Sequence, residues 1–243
     1  MPHPRKTTAD LPLSAALNGT RGAADGAMIP LTPDALAESA AAAVAAGATD
    51  LHVHPRTPCG RGSLSPRVLA PVLEAIRARV RVPVGVTTGA WAEPDAAARL
   101  DRVRSWTVLP DHASVDWHEP AAEEIATALL ERGVGVEAVL RSDTEGPARF
   151  ARSPLRDRVS RILAEVTDQD TPEHTAHTLL TRIAPTPTRP ILLHGKDKGA
   201  WPILHLARTL GLHSRIGLED TLTLPGGGRA LSNEELVRGA LGF

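Results

Sequence analysis

Tyrosine is absent from this chain, cysteine occurs once, and neither sign of charge is in real excess. The missing tyrosine accompanies an abundance of alanine, arginine and proline; it reads as compositional bias and says little about function. The single cysteine, Cys59, excludes an internal disulfide framework and suits a reducing compartment. It follows a proline in an expected loop, with no neighbour that marks it as a nucleophile. Lys and Arg number 27 against 28 Asp and Glu, a balance that offers no bulk attraction to nucleic acid or to an anionic membrane. A local basic site for an anionic ligand stays open. No apolar run approaches the roughly 18 residues of a membrane span. The opening segment MPHPRKTTADLP is polar and lacks the apolar core of a secretory signal, so a cytoplasmic protein is expected.

What is present is a regular alternation of strand-like and helix-like segments over 243 residues, 42% of them hydrophobic. That length suits one compact domain with a sizeable core. Candidate strands cover 13–19, 50–56, 83–89, 112–117, 135–140, 158–166, 190–195 and 214–220. Candidate helices lie near 33–47, 65–79, 94–105, 120–132, 144–152, 171–183, 199–210 and 232–241. Thr32-Pro33, Ser65-Pro66 and Thr171-Pro172 each set an N-cap hydroxyl before a proline at the first helical position. Gly47, Gly133 and Gly211 fall where helix C-caps are expected. Strict alternation calls for a parallel sheet with helical crossovers, and the repeat count predicts a (β/α)8 TIM barrel. We read residues 1–243 as a single domain, with 1–12 a flexible N-terminal segment. The competing doubly wound sheet lacks its glycine-rich turn, because the first strand runs into LNGTRG and not G-x-G-x-x-G.

Function in such a barrel sits at the C-terminal strand ends. Asn18, His52, His54, Thr87, Thr88, Asp116, Glu137, His194, Glu219 and Asp220 all fall at or near those ends. Polar side chains inside apolar strands cost free energy unless they are paired or bound to something. The run DLHVHPR is the most informative. Residues two apart on a strand share a face, so His52 and His54 can reach one metal ion, and a carboxylate from RIGLED, Glu219, could complete a two-imidazole, one-carboxylate zinc site. Blander readings stand beside this one. Glu137 suits an ion pair inside the barrel, Arg215 and Glu219 four apart on one strand could simply pair, and Trp91, Trp106, Trp117 and Trp201 are most simply packing residues. Lys196 and Lys198 after the seventh strand, and Arg229 in LPGGGR after the eighth, occupy the usual phosphate-gripping loops of this architecture.

With these residues in place, the chain resembles the β-keto acid cleavage enzymes. The matching segments are LNG, AGATDLHVHPR, VPVGVTTGAW, the VEA of GVEAVL, LLHG with AWP, and RIGLEDTL, in family order along nearly the whole chain. The resemblance implies a TIM barrel that binds a divalent metal, usually zinc, and is commonly a homo-oligomer. It implies a reaction of a β-keto acid with acetyl-CoA that yields acetoacetate and a new acyl-CoA. Carried over by motif, His52, His54 and Glu219 are the metal ligands, Asp220 is a base working with Arg215, and Glu137 belongs to the catalytic site. Asn18, Arg21, Thr87, Thr88, Ser114 and Asp116 are implied to contact the substrate, and Lys196, Lys198 and Arg229 the CoA. Two departures stand out: Arg21 follows Asn18-Gly19-Thr20 where the family often has a glutamate, and Asp116 replaces an asparagine on the fourth strand. Rival readings are a zinc-dependent hydrolase and a non-catalytic metal- or metabolite-binding barrel.

Overall fold

The computed structural model describes residues 11–26, 28–184 and 189–242. Eight strands, β1 (Leu13–Ala16), β2 (Asp50–Val53), β3 (Val84–Thr87), β4 (His112–Asp116), β5 (Gly135–Arg141), β6 (Arg161–Val166), β7 (Ile191–Gly195) and β8 (His213–Ile216), alternate with eight helices. These are α1 (Pro33–Ala45), α2 (Pro66–Arg79), α3 (Ala96–Arg104), α4 (Ala122–Glu131), α5 (Gly146–Arg152), α6 (Pro172–Ile183), α7 (Ala200–Thr209) and α8 (Asn233–Leu241). The strands form one closed barrel in chain order, β8 pairing back to β1 in parallel. The expected (β/α)8 barrel is the observed fold. Most of the proposed flexible segment, residues 1–10, lies outside the described residues. No helix among the described residues is long and apolar enough to cross a membrane.

Alternation along the strands sorts the residues into two layers, because successive side chains point to opposite faces of a sheet. Ala15, Leu51, Val53, Val84, Val86, Ala113 and Val115 join the large apolar core shared with the helices. The residues between them turn to the barrel axis, and most are polar. Their one apolar cluster is a small belt of Val139, Leu163 and Leu192.

Below the belt, an ionic network closes the N-terminal end of the barrel. The Ser14 hydroxyl donates to Asp50 at 2.7 Å, and Arg161 donates to the same oxygen at 3.0 Å. His112 Nε2 lies 3.0 Å from the other Asp50 oxygen, His112 Nδ1 lies 3.2 Å from Glu137, and Arg161 Nε also binds Glu137. Burial alone would discourage a charged imidazole, but Glu137 and Asp50 push His112 up to about 10, so two cations face two carboxylates. Gly85 makes room for this, since a Cβ there would lie 1.9 Å from His112 Cε1.

The helix starts divide. All three predicted prolines sit in the first turn, yet only Thr32 caps with its side chain, accepting from Ala35 N; Ser65 and Thr171 do not. Asp95 and Ser232 supply side-chain caps in α3 and α8. Gly47, Gly133 and Gly211 take φ of 117°, 74° and 71°, the left-handed conformation expected of C-caps. The strands also end sooner than predicted. β8 stops at Ile216, and the amides of Asp220 and Thr221 bond to the Gly217 carbonyl instead of a neighbouring strand. Glu219 and Asp220 therefore lie in a turn, which corrects the expectation that Arg215 and Glu219 share one strand.

Candidate active site

The C-terminal mouth of the barrel opens into a cavity of about 480 Å³. His52 enters from β2 and His54 from just beyond it, and their Nε2 atoms stand 2.9 Å apart. Glu219 Oε2 completes the group, 3.3 Å from His54 Nε2 and 3.9 Å from His52 Nε2. A tetrahedral zinc with bonds near 2.05 Å holds its ligand atoms about 3.3 Å apart, a value within this observed spread. Glu219 Oε2 is buried without a hydrogen-bond partner, as a carboxylate oxygen aimed at a cation site would be. Burial holds His54 at about 3 and lowers His52 as well, against the pull of Glu219. Both imidazoles are therefore neutral at pH 7, the form that ligates metal. Burial disfavours the charge on Glu219, but Arg215 and the other basic groups around it, Lys196 among them, together outweigh that and keep the carboxyl well below its usual range. The three side chains fit a divalent ion.

Supports around the triad are visible in the structure. Asn18, expected to touch substrate, instead clamps the backbone of His54: its Oδ1 accepts from His54 N and its Nδ2 donates to His54 O, both at 2.9 Å. Trp91 stacks on the His54 ring with centroids 4.8 Å apart, and the Arg56 guanidinium lies over the Trp91 ring, 4.9 Å from its centroid. Trp91 also lines the cavity, so reading it as simple packing is corrected. Its signal in the sequence was proximity to Thr87-Thr88-Gly89. Arg56 further donates to the carbonyls of Gly19 and Arg21, tying the β1–α1 loop to the triad.

Arg215, on β8, donates to both carboxylates of the turn that follows it: to Asp220 at 2.7 and 3.1 Å and to Glu219 at 3.1 Å. Asp220 is fully buried and does not line the cavity; Arg215 does. Behind Asp220 lies His194, also fully buried, with Nδ1 3.4 Å from Asp220 and Nε2 3.6 Å from Glu165. Of the other expected site residues, Arg21, Thr87, Ser114, Asp116 and Lys196 line the cavity. Thr88 is turned aside, its hydroxyl donating to Ser114 O at 2.7 Å. Glu137 stays in the barrel floor with His112 and Arg161, the ion-pair reading. Lys198 faces a neighbouring groove of about 390 Å³ that shares Arg21 and Asp197 with the main cavity. Arg229 does not line the cavity itself but donates at 2.5 Å to the backbone carbonyl of Asp25, which does. Cys59 is exposed in the β2–α2 loop and outside the cavity; hydrogen bonds from Thr57 and then Arg61 bring its thiol down to about 7.

Sequence reading missed the wall opposite the triad. Arg141 and Glu165, at the ends of β5 and β6, and His118 and Glu119, after β4, all line the cavity. Glu165 lies 3.5 Å from Lys196 and 3.9 Å from Arg141. Glu119 accepts from Ala90 N at 3.0 Å and pairs with Arg99 at 3.3 Å. Among the described residues His118 Nδ1, at 3.9 Å, is the one basic group within 4 Å of Asp116, and burial, then Glu119 and Glu165, push its carboxyl up to about 7. Glu165 and Arg141 carried the same signal as the residues that were found, a charge closing an apolar strand.

A closed parallel barrel with two neutral imidazoles and a carboxylate converging in its C-terminal cavity defines a (β/α)8 protein with a candidate metal centre. The profile of the β-keto acid cleavage enzymes matches residues 11–170 and 162–242, and the chain belongs to that family. No curated protein matches it. Among solved structures, a ternary complex of ObcA with a C4-CoA adduct and oxalate aligns at TM-score 0.71 with 18% identity, over 88% of this chain and 63% of that one. ObcA with oxaloacetate aligns at TM-score 0.71 and 17% identity with the same coverage, so this chain spans under two thirds of the ObcA length. Mycobacterium tuberculosis tryptophan synthase aligns at TM-score 0.57 and 15% identity, covering 97% of this chain and 93% of that one; at these identities the likeness is one of fold.

Proposed function

We propose that the protein cleaves β-keto acids by exchange with acetyl-CoA, giving acetoacetate and the acyl-CoA of the remaining fragment. The observation that carries this reading is the convergence of His52, His54 and Glu219 on one point beside Arg215, in a chain of this family. ObcA, solved with oxaloacetate and with a CoA adduct, supports ligands of the keto-acid and CoA kinds.

A divalent ion held by the triad, zinc first among them, would polarise the keto oxygen and make the neighbouring α carbon more acidic. The protein's own residues do the rest. Arg21 and Lys196 offer cations for the substrate carboxylate, Arg21 with the paired donors that suit a carboxylate. Thr87 and Ser114 offer hydroxyls to the keto acid. Asp220 has no cavity surface, so its part as a base would run through an intervening water, a reach open to a general base. The carbanion attacks the acetyl carbon of the thioester and the carbon–sulfur bond breaks, releasing CoA thiolate. The thiolate attacks the original keto carbon, the bond from that carbon to the α carbon breaks, and the α carbon takes a proton back to leave acetoacetate. Atoms balance as β-keto acid plus acetyl-CoA going to acyl-CoA plus acetoacetate. Lys198, in the groove that shares Arg21 and Asp197 with the cavity, is suited to a CoA phosphate. Arg229 acts at one remove, by holding the loop at Asp25.

The test is product analysis with zinc-loaded protein, a panel of β-keto acids and acetyl-CoA labelled in the acetyl group. Label in acetoacetate together with a new acyl-CoA is expected. Stoichiometric metal with no product across the panel would overturn the reading and favour the hydrolase or the binding barrel.

A further inference from the structure

We infer that Asp197 is a positioning residue that sets the order in which the two substrates bind. It occupies Arg21 until the carboxylate of the keto acid displaces it, and its release opens the way for the thioester. This rests on the β-keto acid reading of the same cavity. Arg21, the cation assigned to the substrate carboxylate, is already engaged. Its Nη2 lies 2.6 Å from Asp197 Oδ1, and its Nε donates to Glu219 O at 3.4 Å. The ion pair joins the β1–α1 loop to the turn Asp197–Gly199 that follows β7. Both residues line the main cavity of about 480 Å³ and also the neighbouring groove of about 390 Å³. The pair therefore stands on the border between the two spaces. Lys198, assigned to a CoA phosphate, faces the groove, so the acetyl end of the thioester must pass this border to reach the triad.

An incoming carboxylate finds two acceptors on Arg21, and they differ in their freedom to leave. The Glu219 carbonyl belongs to the backbone of the metal-site turn, whose Glu219 and Asp220 amides are tied to the carbonyls of Ala16 and Gly217. The Asp197 carboxylate is a side chain 51% exposed, so water can take over its charge at little cost. Its own amide is anchored on Asp220 O at 2.6 Å, and the carboxylate can swing into solvent while the turn keeps its place. The Arg21 backbone is held as well, since Arg56 donates to its carbonyl at 3.0 Å and its amide donates to Asn18 O at 3.2 Å. Two carboxylates on one guanidinium repel each other, and the exposed one yields. Parting of the pair unties the β1–α1 loop from the β7–α7 turn at the border. The keto acid thus binds first and the thioester second, and by linkage each raises the affinity for the other.

The test is calorimetry on the zinc-loaded protein with a β-keto acid and acetonyl-CoA, a thioether analogue of acetyl-CoA that cannot be cleaved. Acetonyl-CoA should bind wild type about fivefold or more tightly when the keto acid is saturating. Asp197→Asn keeps the size of the side chain, and asparagine tolerates the φ of 49° at this position. That variant should bind the keto acid roughly two- to fivefold more tightly, the worth of an exposed ion pair, and lower its KM with kcat little changed. Its affinity for acetonyl-CoA should be the same with and without the keto acid, and Asp197→Glu should restore the dependence. A residue that merely braced Arg21 would do the opposite, because its loss would weaken keto-acid binding. Unchanged or weaker keto-acid binding by Asp197→Asn, or a dependence that this variant leaves intact, overturns the inference. So does independent binding of the two ligands to wild type, which decides alone if the variant fails to fold. The two readings fail separately. Cleavage of acetyl-CoA without coupled binding sinks this inference only, whereas coupled binding with no cleavage sinks the proposed reaction.

Discussion

Replacing His112 by glutamine tests the ionic floor of the barrel. The imidazolium there is held from its ordinary value of 6.5 up to about 10, by carboxylates at 3.0 and 3.2 Å. At 1.36 kcal/mol per pH unit that interval is worth about 5 kcal/mol. The figure agrees with the roughly 3–5 kcal/mol lost when one partner of a buried ion pair is removed. The sign follows from the protons. Between the two values the folded state holds a proton that the unfolded chain has released, so the contribution is complete below pH 6.5 and fades as pH rises through about 10. Linkage then gives a stability gap between wild type and His112→Gln of about 4.5 kcal/mol at pH 6 and about 1.5 kcal/mol at pH 9. Urea unfolding at the two pH values measures it. A gap under about 1 kcal/mol at pH 6, or one that does not shrink with pH, would refute the account of a charged histidine in the floor.

Further outcomes concern the mouth. His54→Ala and Glu219→Gln should each reduce bound zinc from one equivalent towards none, read by metal analysis after dialysis, and should lower turnover by roughly a thousandfold if the metal polarises the keto group. Gly19 has φ of +56°, and a Cβ on it would come within 2.3 Å of Glu219 Cγ; Gly19→Ala should push that ligand aside and weaken zinc binding about 10–100-fold, measured by competition with a chelator. Arg21→Ala should raise KM for the keto acid about tenfold or more with kcat little changed, as expected when an interaction common to ground and transition state is removed. Unchanged KM would remove Arg21 from the carboxylate site.

Much of this arrangement was legible from the residues. The alternation of apolar runs fixed eight repeats because each strand had to be buried on one face by a helix and on the other by the barrel interior. Histidines two apart were readable because strand periodicity is short-range and needs no tertiary information. Roles beyond the strand ends were less accessible. Asp220 and Glu137 carried the same local signal as Glu219, and only packing distinguishes a carboxylate that faces the cavity from one sealed behind Arg215 or sunk in the floor. Asn18 was expected at the substrate because its partner, the His54 backbone, is 36 residues away and leaves no local sign. Trp91 was missed for the same reason: stacking on His54 depends on where the β3–α3 loop folds back, and no local pattern encodes that.

The fit of His112 into the space left by Gly85 has a consequence for how the two ends of the molecule can vary. A larger residue at position 85 collides with the imidazole, and loss of the imidazole leaves two carboxylates to the single cation of Arg161, so neither position can change alone without loss. The floor is an interlocked set that must alter together or not at all. The cavity walls above it are made of side chains that face the cavity on one side and have separate anchors, Glu119 on Ala90 N and Arg99, Glu165 on Lys196 and Arg141. Those can be exchanged one at a time, and a barrel built this way can acquire a new substrate while its foundation keeps the same charges in the same places.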